Sequence, residues 1–395
     1  MYLLTILTIL ILISGFFENI YHQQKIKQIP IRIHVNGTRG KSTTVRLIAS
    51  SLREAGYRVL AKTTGTSPRI ILENGAEETI NRRGAANIIE QKYFIQKAVQ
   101  RKSEAVVLEC MAVHPETQWV SEHQLIQSTI GVITNVREDH QDVYGPDLKE
   151  AASSLKLTIP QDGYLVTAER NFFSLFQQEG NKLKTECILV KSEETMNKRI
   201  KQSENFYFQD NVAIALKVSQ LLGINKKIAL QGILKTHPDP GALTIHRMGK
   251  RDKLLWFINA FAANDRESIL LIFDKVMNQL LPKSIYHSPK IALINHRDDR
   301  ITRTIQFDKM LSRDIYFDTI ILVGPTSQLS QRKLIQFGYP AEKIHRIGRK
   351  ETVVPRVVER LFRLIEKNGV VFGLGNTRGF GLELIKYVEE NGEKV

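Results

Sequence analysis

Cysteine is nearly absent: Cys110 and Cys187 are the only two in 395 residues and no CxxC spacing occurs, so neither a disulfide framework nor a zinc site is indicated. Negative charge is the minority sign, 41 acidic against 56 basic residues, and the net +15 favours anionic partners: acidic lipid headgroups, nucleotides, nucleic acid or an acidic polymer. The basic residues are scattered without interleaved aromatics, so no nucleic acid is expected as partner. Internal repeats, low-complexity tracts and any convincing nucleophile-plus-base motif are also missing. Long apolar runs are scarce, and the exception is at the N-terminus. Residues 2–17 carry no charge and, as a helix, span ~25 Å, a little short of the ~30 Å hydrocarbon core. Flanking residues or local thinning close such a gap. No small-residue cleavage site follows, which favours a retained anchor over a removable signal or a buried helix. Lys25, Lys27 and Arg32 just after it place the body of the protein on the cytoplasmic side of a cell membrane.

What remains is globular, 42% hydrophobic and 25% charged, with enough chain for two domains after the anchor. Strands are expected at Arg58–Lys62, Ala105–Glu109, Ile130–Asn135 and Tyr164–Thr167, alternating with helices at 86–101, 147–158 and 209–222. A second alternation starts near 254: Leu254–Ile258, helix 266–281, Lys290–Asn295, a helix near 305–313, Thr319–Val323, helix 355–367 and Val370–Gly373. This predicts α/β architecture with mainly parallel sheets covered by helices. Two prolines and a glycine in Thr236–Gly241 mark the linker. The expected division is an anchor over 1–20, a central domain over 21–236 and a smaller C-terminal domain over 237–395.

The richest local signal is Asn36-Gly37-Thr38-Arg39-Gly40-Lys41-Ser42-Thr43. Branched, alternating Ile31–Val35 reads as a buried strand before it; Val45–Leu52, apolar at helical spacing, reads as a helix after it. A glycine turn between the two aims backbone N–H groups and a helix N-terminus at one point, which attracts phosphate. Lys41 would reach the terminal phosphates of ATP or GTP, and the Ser42 hydroxyl would meet magnesium. The loop is shorter than the usual eight-residue form, and an ordinary polar turn is the bland alternative. Other candidates stand at the ends of the following strands: Thr63–Arg69 with Ser67, then Glu109, then Asn135, Glu138, Asp139 and His140. Singly, these read as a helix cap, a solvated turn or a turn cluster; together they could ring a magnesium triphosphate.

These segments, with Phe208–Ala213, occur in the order seen in the Mur ligase and folylpolyglutamate synthetase superfamily, which the chain resembles. The strings Lys62–Thr66, Glu109–Val113, Pro238–Ala242 and Phe261–Asp265 are similar more narrowly to the membrane-associated amide ligases of bacterial poly-γ-glutamate (capsule) synthesis. The likeness implies a P-loop Mur-ligase-like central domain and a Rossmann-like C-terminal domain. It also implies ATP and Mg2+ as cofactors, glutamate and the growing polymer as substrates, and small integral-membrane subunits as partners. By the same likeness Gly37, Thr38, Arg39, Gly40, Lys41 and Thr43 would hold phosphate. Ser42, Ser67 and Glu109 would hold the first metal, and Glu109 with His140 the second. Asn211 would lie near adenine, and Arg297, Asp299 and Arg300 near ribose and phosphates. Asn264 and Asp265 would line the reacting centre, and Gly375–Gly379 the incoming amino acid.

Two departures stand out. Leu155 occupies the column where Mur-type ligases carry a carbamoylated lysine, with Lys156 one residue off; Ala242 follows the inter-domain glycine where many relatives place arginine. The implied reaction is attack of a chain carboxylate on the γ-phosphate, then attack of glutamate's amine on the acyl phosphate. A folate-type polyglutamylating ligase and a membrane-bound regulatory P-loop ATPase are the alternatives. Self-association is left open.

Overall fold

A computed structural model describes the chain except residues 1, 66–67, 83, 85, 138–140, 146, 192–207, 240–242, 264–265, 299–300 and 349–350. The chain forms two compact units, the first running to Asp239 and the second following it.

The first unit opens with helix α1 (Tyr2–Lys27), which continues beyond the apolar run. Among the described residues it is the helix long and apolar enough to cross a membrane, and its side chains from Tyr2 to Ile20 are exposed. Its base is docked: a ring nitrogen of His22 lies 2.9 Å from the Leu125 carbonyl, and Ile26 is buried with Ile29 just beyond.

The sheet contains β1 (Ile31–Asn36), β2 (Val59–Thr63), β3 (Arg69–Ile71), β4 (Glu77–Thr79), β5 (Ala105–Glu109), β6 (Ile130–Ile133), β7 (Tyr164–Thr167) and β8 (Glu186–Leu189). Among the described residues their order is β4-β3-β2-β5-β1-β6-β7-β8, parallel except for the β3 and β4 edge. From β1 the chain moves to one side to make β2 and β5, then to the other for β6 to β8, so the topology switches at the C-terminal end of β1. Ligands of open α/β sheets bind at such a point.

Alternation along β1 sorts its side chains. Ile33 and Val35 pack on Val45, Ile48 and Leu52 of α2 (Lys41–Glu54), each burial worth about 1.5–3 kcal/mol. His34 and Asn36 point to the other face. There α3 (Glu90–Gln100), α4 (Pro115–Val120) and a π-helical turn, Ser121–Ile126, cover the sheet.

In the second unit the strands are β9 (Thr244–Lys250), β10 (Lys253–Asn259), β11 (Lys290–Asn295), β12 (Thr319–Val323), β13 (Ile344–Arg346), β14 (Asn368–Gly375) and β15 (Glu393–Lys394). Among the described residues their order is β13-β12-β11-β14-β10-β9-β15, antiparallel at β9 and β15 and parallel elsewhere. Leu255, Phe257, Leu293 and Val371 form the core on one face, and Phe273 stacks on Phe372 and meets Phe317 edge-on.

The mainly parallel α/β architecture expected from the alternation is present. Boundaries moved where local geometry intervened. The helix expected over 266–281 is α-helical to Lys275 and widens into a π-turn over Val276–Leu280. The helix expected over 355–367 ends at Arg363. The β3–β4 hairpin went unpredicted because three-residue strands are too short to display alternation.

Candidate active site

The loop between β1 and α2 is built around two glycines with positive φ. Gly37 has φ +122°, and a Cβ there would lie 2.1 Å from the Thr134 hydroxyl; Gly40 has φ +79°, and a Cβ would lie 2.7 Å from the Asn211 amide oxygen. Neither position accepts a side chain, for backbone and for space. Asn135 organises what lies between them. Its Oδ1 accepts from the Thr38 hydroxyl (2.8 Å) and the Arg39 N–H (3.0 Å), and its Nδ2 donates to the Arg39 carbonyl (3.1 Å). Thr134 Oγ1 donates to that same carbonyl at 2.6 Å. The loop is thereby pinned to the end of β6, and Lys41 Nζ reaches back 2.7 Å to the Gly37 carbonyl, standing over it.

Beside the loop, β5 places Glu109 opposite Val35. The carboxylate belongs to a residue only 3% exposed. Its Oε2 accepts from the Ser42 hydroxyl and from the Thr64 N–H, each at 2.8 Å. A hydroxyl and a buried carboxylate are hard oxygen donors, which fit Mg2+ or Mn2+ rather than a thiophilic metal. Among the described residues no three His, Cys, Asp or Glu side chains cluster as a self-sufficient metal site. A sparse oxygen pair suits a cation whose shell is completed by phosphate oxygens and water.

The rear face of β1 carries a polar network. His34 Nδ1 lies 2.7 Å from Glu122 Oε2, and the other Glu122 oxygen accepts from the Ser128 N–H and hydroxyl at 2.8 Å each. Burial alone would push the imidazole down, but the Cys110 sulfur and the Glu122 carboxylate hold it up at about 10. Burial would raise Glu122; His34 and Ser128 keep it below the ordinary carboxylate value. Asn36, the last residue of β1, donates to Gln118 (2.9 Å) and Thr158 (3.1 Å). The strand that launches the loop is thus fixed from behind. Lys62 is also buried, 3.1 Å from Glu90, and burial lowers its pKa despite that partner.

The expected residues Gly37, Thr38, Arg39, Gly40, Lys41, Ser42, Thr43 and Glu109 meet around the loop, and Asn211, 3% exposed, packs its amide against Gly40. Ser67, His140, Asn264, Asp265, Asp299 and Arg300 lie outside the described residues. Leu155 is fully buried and Lys156 pairs with Glu179 at 3.0 Å, so neither presents an amine for a carbamate at the loop. In the second unit Arg297 follows β11, and Asn295 Nδ2 donates to the carbonyls of Asn376 (2.6 Å) and Arg378 (2.9 Å), shaping the glycine turn after β14. Sequence reasoning named Asn135 as a strand-end candidate but not as the anchor of the loop, and gave no role to Lys62 or His34. Asn135 and Lys62 stood inside quoted motifs; His34 had only its position on the launching strand as a signal.

Residues 35–233 match the Mur ligase middle domain, and residues 245–391 match the poly-gamma-glutamate synthase CapB C-terminal domain. PGA synthase CapB of Bacillus subtilis (strain 168) is 36% identical over 395 residues, covering 99% of this chain and 98% of the relative. Capsule biosynthesis protein CapB of Bacillus anthracis is 35% identical, covering 98% and 83%. The fold is shared with a bifunctional folylpolyglutamate synthase/dihydrofolate synthase of Yersinia pestis c092, crystallised with AMPPNP and Mn ion. That likeness has a TM-score of 0.68 at 16% identity, over 94% of this chain and 91% of the other. The protein is an ATP-dependent ligase of the Mur type that forms amide bonds. Within that class it belongs to the CapB family of poly-γ-glutamate synthases.

Proposed function

We propose that this chain polymerises glutamate through γ-amide bonds at the cytoplasmic face of the membrane, with α1 as a single-pass anchor and small integral-membrane subunits as partners. Supporting this most directly is the Ser42–Glu109–Thr64 arrangement beside the Gly37–Lys41 loop, at the switch point of the first sheet. ATP is the phosphoryl donor and Mg2+ the cation.

A carboxylate is a poor nucleophile and a triphosphate is highly charged, so the site's task is to align the two and neutralise charge. Backbone N–H groups from Gly37 to Gly40 and the N-terminus of α2 cradle the β- and γ-phosphates, and Lys41 swings from the Gly37 carbonyl onto their oxygens. Magnesium held by Ser42, Ser67 and Glu109, with a second ion at Glu109 and His140, would neutralise the charge that develops as the γ-phosphate leaves ADP. Thr64 orients the Glu109 carboxylate through its N–H. The resulting acyl phosphate is attacked by glutamate's amine, forming the amide and releasing phosphate. Asn211 serves the adenine end. In the C-terminal domain Arg297, Asp299 and Arg300 serve ribose and phosphates, Asn264 and Asp265 line the reacting centre, and Gly375–Gly379 receives the amino acid. A folate-type ligase shares this chemistry but makes no use of α1.

The test is ATP turnover by membranes containing the protein, with and without glutamate and a short γ-linked primer. ADP release that requires glutamate, together with primer lengthening, supports the assignment. Glutamate-independent turnover with no longer product, partners present, shifts it to a regulatory ATPase.

A further inference from the structure

Helix α1 climbs the first unit toward the end of the sheet that carries the nucleotide loop. From its base the chain passes through Ile29 into β1 at Ile31, so that base stands where the parallel strands begin. From there α1 leads back along the face that also carries Leu60, Val106 and Leu108. Its lower contacts lie near the strand starts: Gln23 Nε2 donates to the Gln124 carbonyl at 3.1 Å, in the turn that leads into β6. One turn beyond His22, Glu18 meets Lys92 at 2.6 Å. Lys92 belongs to the first turn of α3, and that turn stands at the C-terminal ends of the strands. Glu90 lies 3.1 Å from Lys62, and Gln91 Nε2 donates to the Glu109 carbonyl at 3.5 Å. Glu18 is therefore level with the strand ends that present Glu109 and the loop.

Glu18 is also where the charge-free run 2–17 stops, and it is the only acid in α1. With that run in hydrocarbon, headgroups begin at Glu18 and extend about 5–7 Å further. At this level the first unit presents the outer side of α3. Ile89 and Tyr93, four residues apart and so on one side of the helix, are 48% and 69% exposed, and Lys92 between them neutralises Glu18. An aliphatic side chain, a tyrosine with an apolar ring and a hydroxyl tip, and a lysine on a long stem are groups that settle among headgroups.

We propose that the end of the first sheet carrying the nucleotide loop faces the bilayer, with Ile89, Lys92 and Tyr93 seated among phospholipid headgroups. The proposal rests on the reading of α1 as the anchor. The Glu109 site then stands beside the membrane surface, and a polymer made there emerges next to the bilayer rather than into bulk cytoplasm.

The experiment uses the full-length protein in nanodiscs of phosphatidylcholine and phosphatidylglycerol, with and without a lipid bearing a nitroxide on its headgroup. Tyr93→Cys and Lys227→Cys each carry a thiol-linked fluorophore, and the parent, whose Cys110 is buried and Cys187 half-buried, gives the labelling background. Lys227 is the control because its helix, Lys226–Leu234, packs at the far end of α2, where Ser51 Oγ donates to the Ala229 carbonyl at 3.2 Å. The nitroxide lipid is expected to remove most of the fluorescence at position 93 and little at position 227. Adding Ile89→Asp to the labelled Tyr93→Cys protein is expected to restore much of that signal at an unchanged unfolding temperature; if this variant fails to fold, the two labelled positions decide alone. Equal quenching at both positions, or stronger quenching at position 227, overturns the seating while the anchor stands. Fluorescence at position 93 that ignores the nitroxide but falls as more copies share a nanodisc means that a second copy covers this face, and also overturns it. Failure of the protein to co-elute with nanodiscs overturns the anchor itself.

Discussion

Both units bury ionisable side chains, but they do so in opposite ways. Behind the phosphate loop, His34 and Glu122 are fully buried and face each other; the imidazole is held up at about 10 and the carboxyl is held down, so both stay charged. In the second unit Asp308, on a helix over Ile301–Arg313, has one oxygen bonded by the Ser330 hydroxyl and the other without a partner; burial pushes it up to about 7. His296, after β11, has an unpartnered Nε2, and burial pushes it down to about 4. Desolvation acts on all four groups toward the neutral form. Only where an opposite charge stands within hydrogen-bond reach is it overcome. A buried ionic pair also fixes geometry, and in the first unit it fixes the strand that carries the nucleotide loop.

The sharpest test of that contrast is at Glu109, a buried carboxylate that the proposed mechanism uses directly. Glu109→Gln or Lys41→Ala is expected to reduce polymer formation by about 10³-fold, the scale of losing a charge-stabilising group, with an unfolding temperature close to the parent's. Retained activity would mean that the charges gathered at the loop have another purpose.

Next in size is Glu122→Gln, which leaves His34 without its counter-charge. Removing one partner of a buried pair costs about 3 kcal/mol or more, visible as a fall in Tm and in the denaturation midpoint. The pH dependence follows in sign. The His34 pKa is raised from 6.5, so its contribution is whole below about pH 6.5 and is lost as pH rises through about 10. Glu122 is depressed from 4.5, so its contribution is present above that value and lost as pH falls through its folded pKa. The parent is therefore expected to hold a stability plateau between about pH 4.5 and 6.5, with a decline from there towards about 10, that the variant lacks. An unchanged profile would break the comparison on the first unit's side.

Much of this architecture was legible because its signals are local. Ile31–Val35, the glycine loop and the apolar stripe of α2 lie within a few residues of one another, and strand-end Glu109 follows a run of Ala105–Leu108 that is buried throughout. The supports were not. His34 meets Glu122 across 88 residues and Asn36 meets Thr158 across 122, and nothing in either neighbourhood announces the partner. A histidine at an even position of β1 reads alone as a polar interruption; only the register, with α4 and the π-turn covering that face, turns it into a buried pair. Asn135 was visible as a strand-end residue, but its grip on Thr38 and Arg39 depends on β6 lying beside β1.

On the second unit's side, the smaller effect is expected at Asp308→Asn, and its sign is opposite. Asp308 is raised from 3.8 to about 7, so in the fold the carboxyl holds a proton that the unfolded chain has already released. Its relative contribution is whole below about pH 4 and is lost as pH rises through about 7, after which the fold carries an unpaired buried carboxylate. Asparagine has the same shape and no charge, and its amide oxygen still accepts from Ser330. The variant should therefore be more stable than the parent at pH 8, by on the order of 2 kcal/mol, and the gap should close as pH is lowered toward 4. Thermal unfolding at several pH values reads this directly. Destabilisation at pH 8 would mean that the Asp308 charge is compensated after all, and the two units would then handle buried charge alike.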